Sequence, residues 1–157
     1  MQPRRRFGQH FLKDASILQR IADAVAIQPK HHVFEIGPGQ GALTQYLHQP
    51  SPARYLAVEI DRDLAPLLPG KFPGIEVLQQ DVLRTDLTSA LAIGAKTQPW
   101  RVVGNLPYNI SSPLIMLLLD HLLAHPSNIQ DMHFMLQKEM AERLSAQPGS
   151  KAWGRVS

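Results

Sequence analysis

The chain has 157 residues and 44% of them are apolar, enough to bury one core of ordinary size, so a single domain is expected. Sixteen Lys and Arg against thirteen Asp and Glu leave a net charge of +3, a mildly basic balance that permits a polyanionic partner without demanding one. Cysteine is absent, which excludes a disulfide framework, a thiolate zinc site and a cysteine nucleophile.

The segment Met1 to His10 contains no apolar run of the length that a secretory signal needs, and a cytoplasmic chain is expected. Its Arg4-Arg5-Arg6 cluster, with Lys13 nearby, suits phosphate contact and equally suits a solvated tail. From Asp14 to Val25, the residues Ile17, Leu18, Ile21, Ala22 and Val25 fall at helical spacing behind a cap at Asp14 or Ser16. The chain then alternates. A strand at Val33 to Ile36, a glycine turn and a helix near Ala42 to His48 are followed by a strand at Tyr55 to Ile60 and a helix around Asp63 to Leu68. A strand at Ile75 to Gln79, a weak helix near Leu87 to Ala92, a strand at Arg101 to Gly104 and a long helix from about Ser112 to Ala124 come next. A strand at Met132 to Gln137 and a helix at Lys138 to Ala146 close the series. Such alternation predicts an α/β, Rossmann-like fold: a mostly parallel sheet with helices on both faces, and ligands beyond the carboxyl ends of the strands. The most apolar stretch, Leu114 to Leu123, is broken by Asp120 and His121 and falls short of the roughly 20 residues that span a bilayer, so no membrane anchor is expected.

Each candidate motif stands at such a strand end. Glu35-Ile36-Gly37-Pro38-Gly39-Gln40-Gly41 lies between a strand and a helix, where glycines let backbone approach a ligand. Its G-x-G-x-G spacing misses the dinucleotide fingerprint by one position, and Glu35 would set a carboxylate beside a pyrophosphate. A cationic cofactor suits the loop better, and S-adenosylmethionine carries a sulfonium and an ammonium. Glu59, ending the second strand, stands where a carboxylate accepts from both ribose hydroxyls, and Asp81, after the third, could accept from the adenine amine. The fourth strand runs into Asn105-Leu106-Pro107-Tyr108. The N6 amine of adenine is a poor nucleophile because its lone pair is spread into the ring. The side-chain oxygen of Asn105 and the carbonyl of Leu106 can each accept one amine N–H and so localise that pair, while Pro107 fixes the turn and Tyr108 offers a stacking surface. An adenine must be unpaired or extruded to reach such a pocket. The histidines His31, His32, His48, His121, His125 and His133 show no ligand spacing for one site, and no metal is expected.

Taken with Gln9-His10-Phe11-Leu12, Phe134 to Glu139 and Lys151 to Ser157, these motifs resemble the small-subunit (16S) ribosomal RNA adenine dimethyltransferases of the KsgA type over nearly the whole chain. The resemblance implies a class I S-adenosylmethionine-dependent methyltransferase fold. It implies that His10 and Leu12 close over S-adenosylmethionine together with Gly37, Glu59, Asp81 and Asn105, with Asn105 and Tyr108 at the reacting base. It implies N6,N6-dimethylation of two adjacent adenosines in a hairpin loop near the 3′ end of the small-subunit RNA, on immature 30S subunits during ribosome biogenesis, by a monomer. His10 departs from members that have Asn there. Members continue with further strands and a small helical domain, so residues 1–157 are expected to be the methyltransferase domain truncated before that part. The rival readings are a large-subunit RNA adenine methyltransferase of the macrolide-resistance type and a non-catalytic assembly or transcription factor on the same fold. An NAD-dependent oxidoreductase is disfavoured by the glycine spacing.

Overall fold

A computed structural model describes residues 14–93 and 98–136 of the chain, apart from the side chain of Tyr108. Helix α1 (Ala15–Val25) begins at Asp14, whose side chain accepts from the backbone N–H of Ser16 at 2.9 Å, and ends at Ala26 in a left-handed conformation. Five strands follow: β1 (His32–Ile36), β2 (Arg54–Glu59), β3 (Glu76–Gln79), β4 (Trp100–Asn105) and β5 (Ile129–Met135). Their spatial order is β3-β2-β1-β4-β5, and every pairing is parallel. The expected α/β sheet is therefore present, with the first strand at its centre.

The connections carry α2 (Thr44–His48), α3 (Leu68–Lys71), α4 (Leu87–Ala90) and α5 (Tyr108–Ala124). Both faces of the sheet are covered. Phe34, Ile36, Val58 and Val102 pack with Leu114 and Leu118 of α5 on one side. Val33, Tyr55, Ala57 and Val103 pack with Leu18 and Val25 of α1 and Leu47 of α2 on the other. Burial on two faces explains why these strands read as continuous apolar runs instead of alternating ones.

Most boundaries fall within two residues of expectation, and three elements depart further. The helix expected around Asp63 to Leu68 is a 3-10 turn at Ala65–Leu67 passing into α3, because Pro66 and Pro69 lack the N–H groups that a longer α-helix would use. Helix α5 begins at Tyr108 and carries Pro113 inside it. Proline disfavours helix in the residue before it. Here the burial of Ser111, Leu114, Ile115 and Leu118 prevails over that preference. Strand β5 starts earlier than expected, at Ile129, where it pairs with Trp100 before a register irregularity. The helix expected at Lys138 to Ala146 lies outside the described residues.

At the amino ends of the strands one buried cation ties the molecule together. Arg101 on β4, 5% exposed, donates from Nε to Asp131 Oδ1 on β5 at 2.6 Å and from its terminal nitrogens to the carbonyl of Val25 and to His31 Nδ1. The backbone N–H of Gln28 donates to the same ring nitrogen at 2.9 Å. Two donors fix Nδ1 as an acceptor, and burial with the nearby Arg101 and Lys30 charges holds the His31 pKa below its ordinary value.

Candidate active site

The strand order places the ends of β3, β2, β1 and β4 side by side, and with them Asp81, Glu59, the glycine loop and Asn105. Ile36 pairs with both Val58 and Gly104, so the loop emerges between the ends of β2 and β4. The Gly37 N–H donates to the Val58 carbonyl at 2.9 Å, and a Cβ on Gly37 would sit 3.7 Å from the Asn105 carbonyl oxygen. The loop and the Asn105 tetrapeptide are thus backbone neighbours. Gly41, at φ +90°, is required twice: an L side chain rarely adopts that conformation, and its Cβ would lie 2.5 Å from the Phe72 ring. Lys71 Nζ donates to the Gln40 carbonyl from the same side.

Glu59 is buried at the end of β2. Its Oε1 accepts from the Gly39 N–H at 2.7 Å and its Oε2 from the Asp61 N–H at 3.0 Å. It holds the middle of the glycine loop from the end of β2, the strand end at which the sequence places it. Each carboxylate oxygen can accept two hydrogen bonds, so both retain capacity for a diol. Asp81 lies two residues beyond β3 and caps a 3-10 turn, its Oδ1 accepting from the Leu83 N–H at 2.9 Å. Gln80 extends the ladder by donating its N–H to the Glu59 carbonyl. Asp81 therefore stands just beyond the end of β3, the strand beside that of Glu59, with Oδ2 outside the cap.

Asn105 is the last residue of β4 and partly buried. The Leu106 N–H donates to the Met135 carbonyl at 3.0 Å, which ties the tetrapeptide to β5, while Pro107 in an extended conformation starts α5. Tyr108 is the first residue of that helix. His10 and Leu12 lie outside the described residues.

Glu35 is not beside the ligand position that the sequence suggested. Its side chain turns to the face covered by α1 and α2, where Oε1 accepts from Thr44 Oγ1 and from Tyr55 Oη, both at 2.6 Å. Burial raises its pKa to about 7 against the pull of these two hydrogen bonds. Alternation along β1 carried the signal: Glu35 shares parity with Val33, which faces the same side. Sequence reasoning also missed Ile60. It follows Glu59 and leaves an apolar side chain 57% exposed at the ligand edge, a position that its sequence pattern does not separate from the strand itself. Among the described residues no three His, Asp or Glu side chains gather as a metal site would need.

A family model described as ribosomal RNA adenine dimethylase matches residues 1–157. The chain is 50% identical over 157 residues to the ribosomal RNA small subunit methyltransferase A of Pseudomonas savastanoi pv. phaseolicola, covering 98% of this chain and 56% of that protein. It spans about half the length of the curated relatives it matches. A dimethyladenosine transferase from Plasmodium falciparum superposes with a TM-score of 0.70 at 30% identity, over 92% of this chain and 49% of the other. The 23S rRNA methyltransferase ErmE superposes with a TM-score of 0.65 at 30% identity, over 83% and 49% respectively. The parallel sheet is the Rossmann-like fold of these methyltransferases.

Proposed function

Because the chain belongs to the ribosomal RNA adenine dimethylase family, we propose that it transfers methyl groups from S-adenosylmethionine to the N6 amines of two adjacent adenosines in a 3′-end hairpin loop of small-subunit RNA. The product is N6,N6-dimethyladenosine. It acts as a monomer on immature 30S subunits in the cytoplasm, without a metal. The observation that carries the reading is the adjacency of the glycine loop and Asn105-Leu106-Pro107-Tyr108, with Gly37 against the Asn105 backbone. That adjacency puts a cofactor seat and a set of amine acceptors on one edge.

The residues present suit the cofactor. Glu59 keeps a lone pair on each oxygen for the ribose hydroxyls, and Asp81 keeps Oδ2 for the adenine amine. Ile60 supplies an apolar surface beside them. The family resemblance assigns His10 and Leu12 to the same cofactor. When bound, S-adenosylmethionine supplies a methyl group already activated on a sulfonium. The chain's own task is to present the amine. Asn105 Oδ1 and the Leu106 carbonyl accept the two N–H groups, which favours the pyramidal nitrogen of the transition state over the planar ground state. A neutral acceptor suffices, since the methylated amine becomes acidic and loses its proton after transfer. Tyr108 stacks on the extruded base.

The test is transfer of labelled methyl from S-adenosylmethionine to unmethylated small and large ribosomal subunits, with mass-spectrometric mapping of the product. Dimethyladenosine in the small subunit is expected. Label confined to the large subunit would select the rival reading, a large-subunit RNA adenine methyltransferase. Cofactor binding without transfer to either would leave a scaffolding role.

A further inference from the structure

Besides the bonds from Gly37 to Val58 and from Lys71 to Gln40, the glycine loop is held at three points. Glu59 holds its middle through the Gly39 N–H. The Gly41 N–H closes the inner turn on the Pro38 carbonyl at 2.9 Å. The third hold lies behind the loop, in the core. Glu35 precedes the loop by one residue on β1, and Thr44, the first residue of α2, follows it. The bond from Thr44 Oγ1 to Glu35 Oε1 at 2.6 Å therefore joins the start of the loop to its exit across a separation of nine residues. Tyr55 reaches the same oxygen from β2. Its register partner on β1 is Val33, so its hydroxyl crosses diagonally along the face to Glu35. Tyr55 is 3% exposed, Thr44 0% and Glu35 2%. One oxygen atom thus joins β1, β2 and α2 beneath the loop, out of reach of solvent.

We propose that Thr44 and Tyr55 are positioning residues for the cofactor, acting through Glu35: their two hydrogen bonds fix the exit of the glycine loop relative to its start and so set the direction of its backbone N–H groups. The inference rests on the reading of this loop as the seat of S-adenosylmethionine. Its physical content is preorganisation. A loop free to swing by even an ångström must be ordered again at each binding event, and that cost appears in affinity. The amine acceptors belong to β4 and the start of α5, outside the clamp. Loosening it accordingly weakens cofactor binding while leaving the chemical step of the saturated enzyme unchanged. Either protonation state of Glu35 keeps Oε1 as an acceptor, so the clamp needs an oxygen at this position and not a charge.

The test compares the wild type with Thr44→Val, Thr44→Ser, Tyr55→Phe and Glu35→Gln. Each variant's Kd for S-adenosylhomocysteine is measured by calorimetry, KM for S-adenosylmethionine and kcat on unmethylated small subunits, and thermal unfolding in parallel. Thr44→Val and Tyr55→Phe each remove one donor at near-constant volume, and a roughly tenfold weaker Kd and higher KM is expected with kcat unchanged. Thr44→Ser and Glu35→Gln preserve the bonds and keep wild-type affinity. If Thr44→Val fails to fold, Tyr55→Phe carries the same test. Wild-type affinity in the folded donor-lacking variants, with only the melting temperature lowered, overturns the positioning role and leaves the cofactor seat standing. A wild-type protein that binds no S-adenosylhomocysteine overturns the cofactor seat itself, and the clamp's role with it.

Discussion

Asn105 ends β4 next to Gly37. In the proposed mechanism its amide oxygen is one of two acceptors offered to the amine. Replacing Asn105 by Ala removes a transition-state acceptor without opening the core, since the residue is only partly buried. Transfer to small subunits is expected to fall by about 10²-fold or more in kcat, with the unfolding temperature little changed. Retained dimethylation in that variant would remove the proposed mechanism. At this scale the sequence was legible in position: Glu59 and Asn105 end their strands and Asp81 lies just beyond its own, as expected. It was less so where direction decides. Glu35 has the same carboxylate as Glu59 and a similar place at a strand end, yet it faces inward to Thr44 and Tyr55 while Glu59 holds the loop.

The glycine loop shows how one element depends on another far along the chain. Gly41→Ala would force a left-handed φ on an L residue and drive its Cβ into Phe72. A loss of about 2–4 kcal/mol in unfolding free energy is expected from the two costs together. Phe72→Leu in the same chain should recover the steric share and leave the backbone share, so a double-mutant cycle measured by denaturant unfolding separates them. Asp14→Ala tests a simpler element. Loss of the cap on α1 is expected to lower the unfolding midpoint with an unchanged denaturant slope. The strands were legible because parallel sheets buried on two faces need unbroken apolar runs. Helix starts were not. The helix expected from about Ser112 already spans Pro113, but that proline masked the helical residues from Tyr108 onward, while Pro66 and Pro69 confine the helix expected around Asp63 to a 3-10 turn and the short α3.

Over the whole molecule, two buried groups give opposite responses to pH. Glu35 keeps its proton to about 7 in the folded chain against the ordinary 4.5, so its contribution to stability is present below 4.5 and is lost as pH rises through 7. At about 1.4 kcal/mol per pH unit this amounts to on the order of 3 kcal/mol. Glu35→Gln, which cannot ionise, is expected to gain stability relative to wild type between pH 5 and pH 8, as measured by urea unfolding at each pH. A gap independent of pH would show that Glu35 does not titrate in the fold. His31 acts in the other sense. Its lowered pKa means that the unfolded chain takes up the proton first, so its contribution is present above 6.5 and lost as pH falls.

The Arg101 anchor also bears on how the chain is made. The carbonyl at the end of α1 finds its donor 76 residues downstream, and that donor is steadied by a carboxylate 30 residues further on. During synthesis from the N-terminus, the leading helix is complete long before either partner has left the ribosome. The central strand β1 also waits, for β2 on one side and then for β4 on the other. The carboxyl end of α1, the leading helix among the described residues, is thus among the last points to be secured. Until Arg101 and Asp131 emerge, the carboxyl end of α1 lacks its polar anchor even though Leu18 and Val25 can already meet β1, β2 and α2, and chaperone contact during translation is expected to concentrate there.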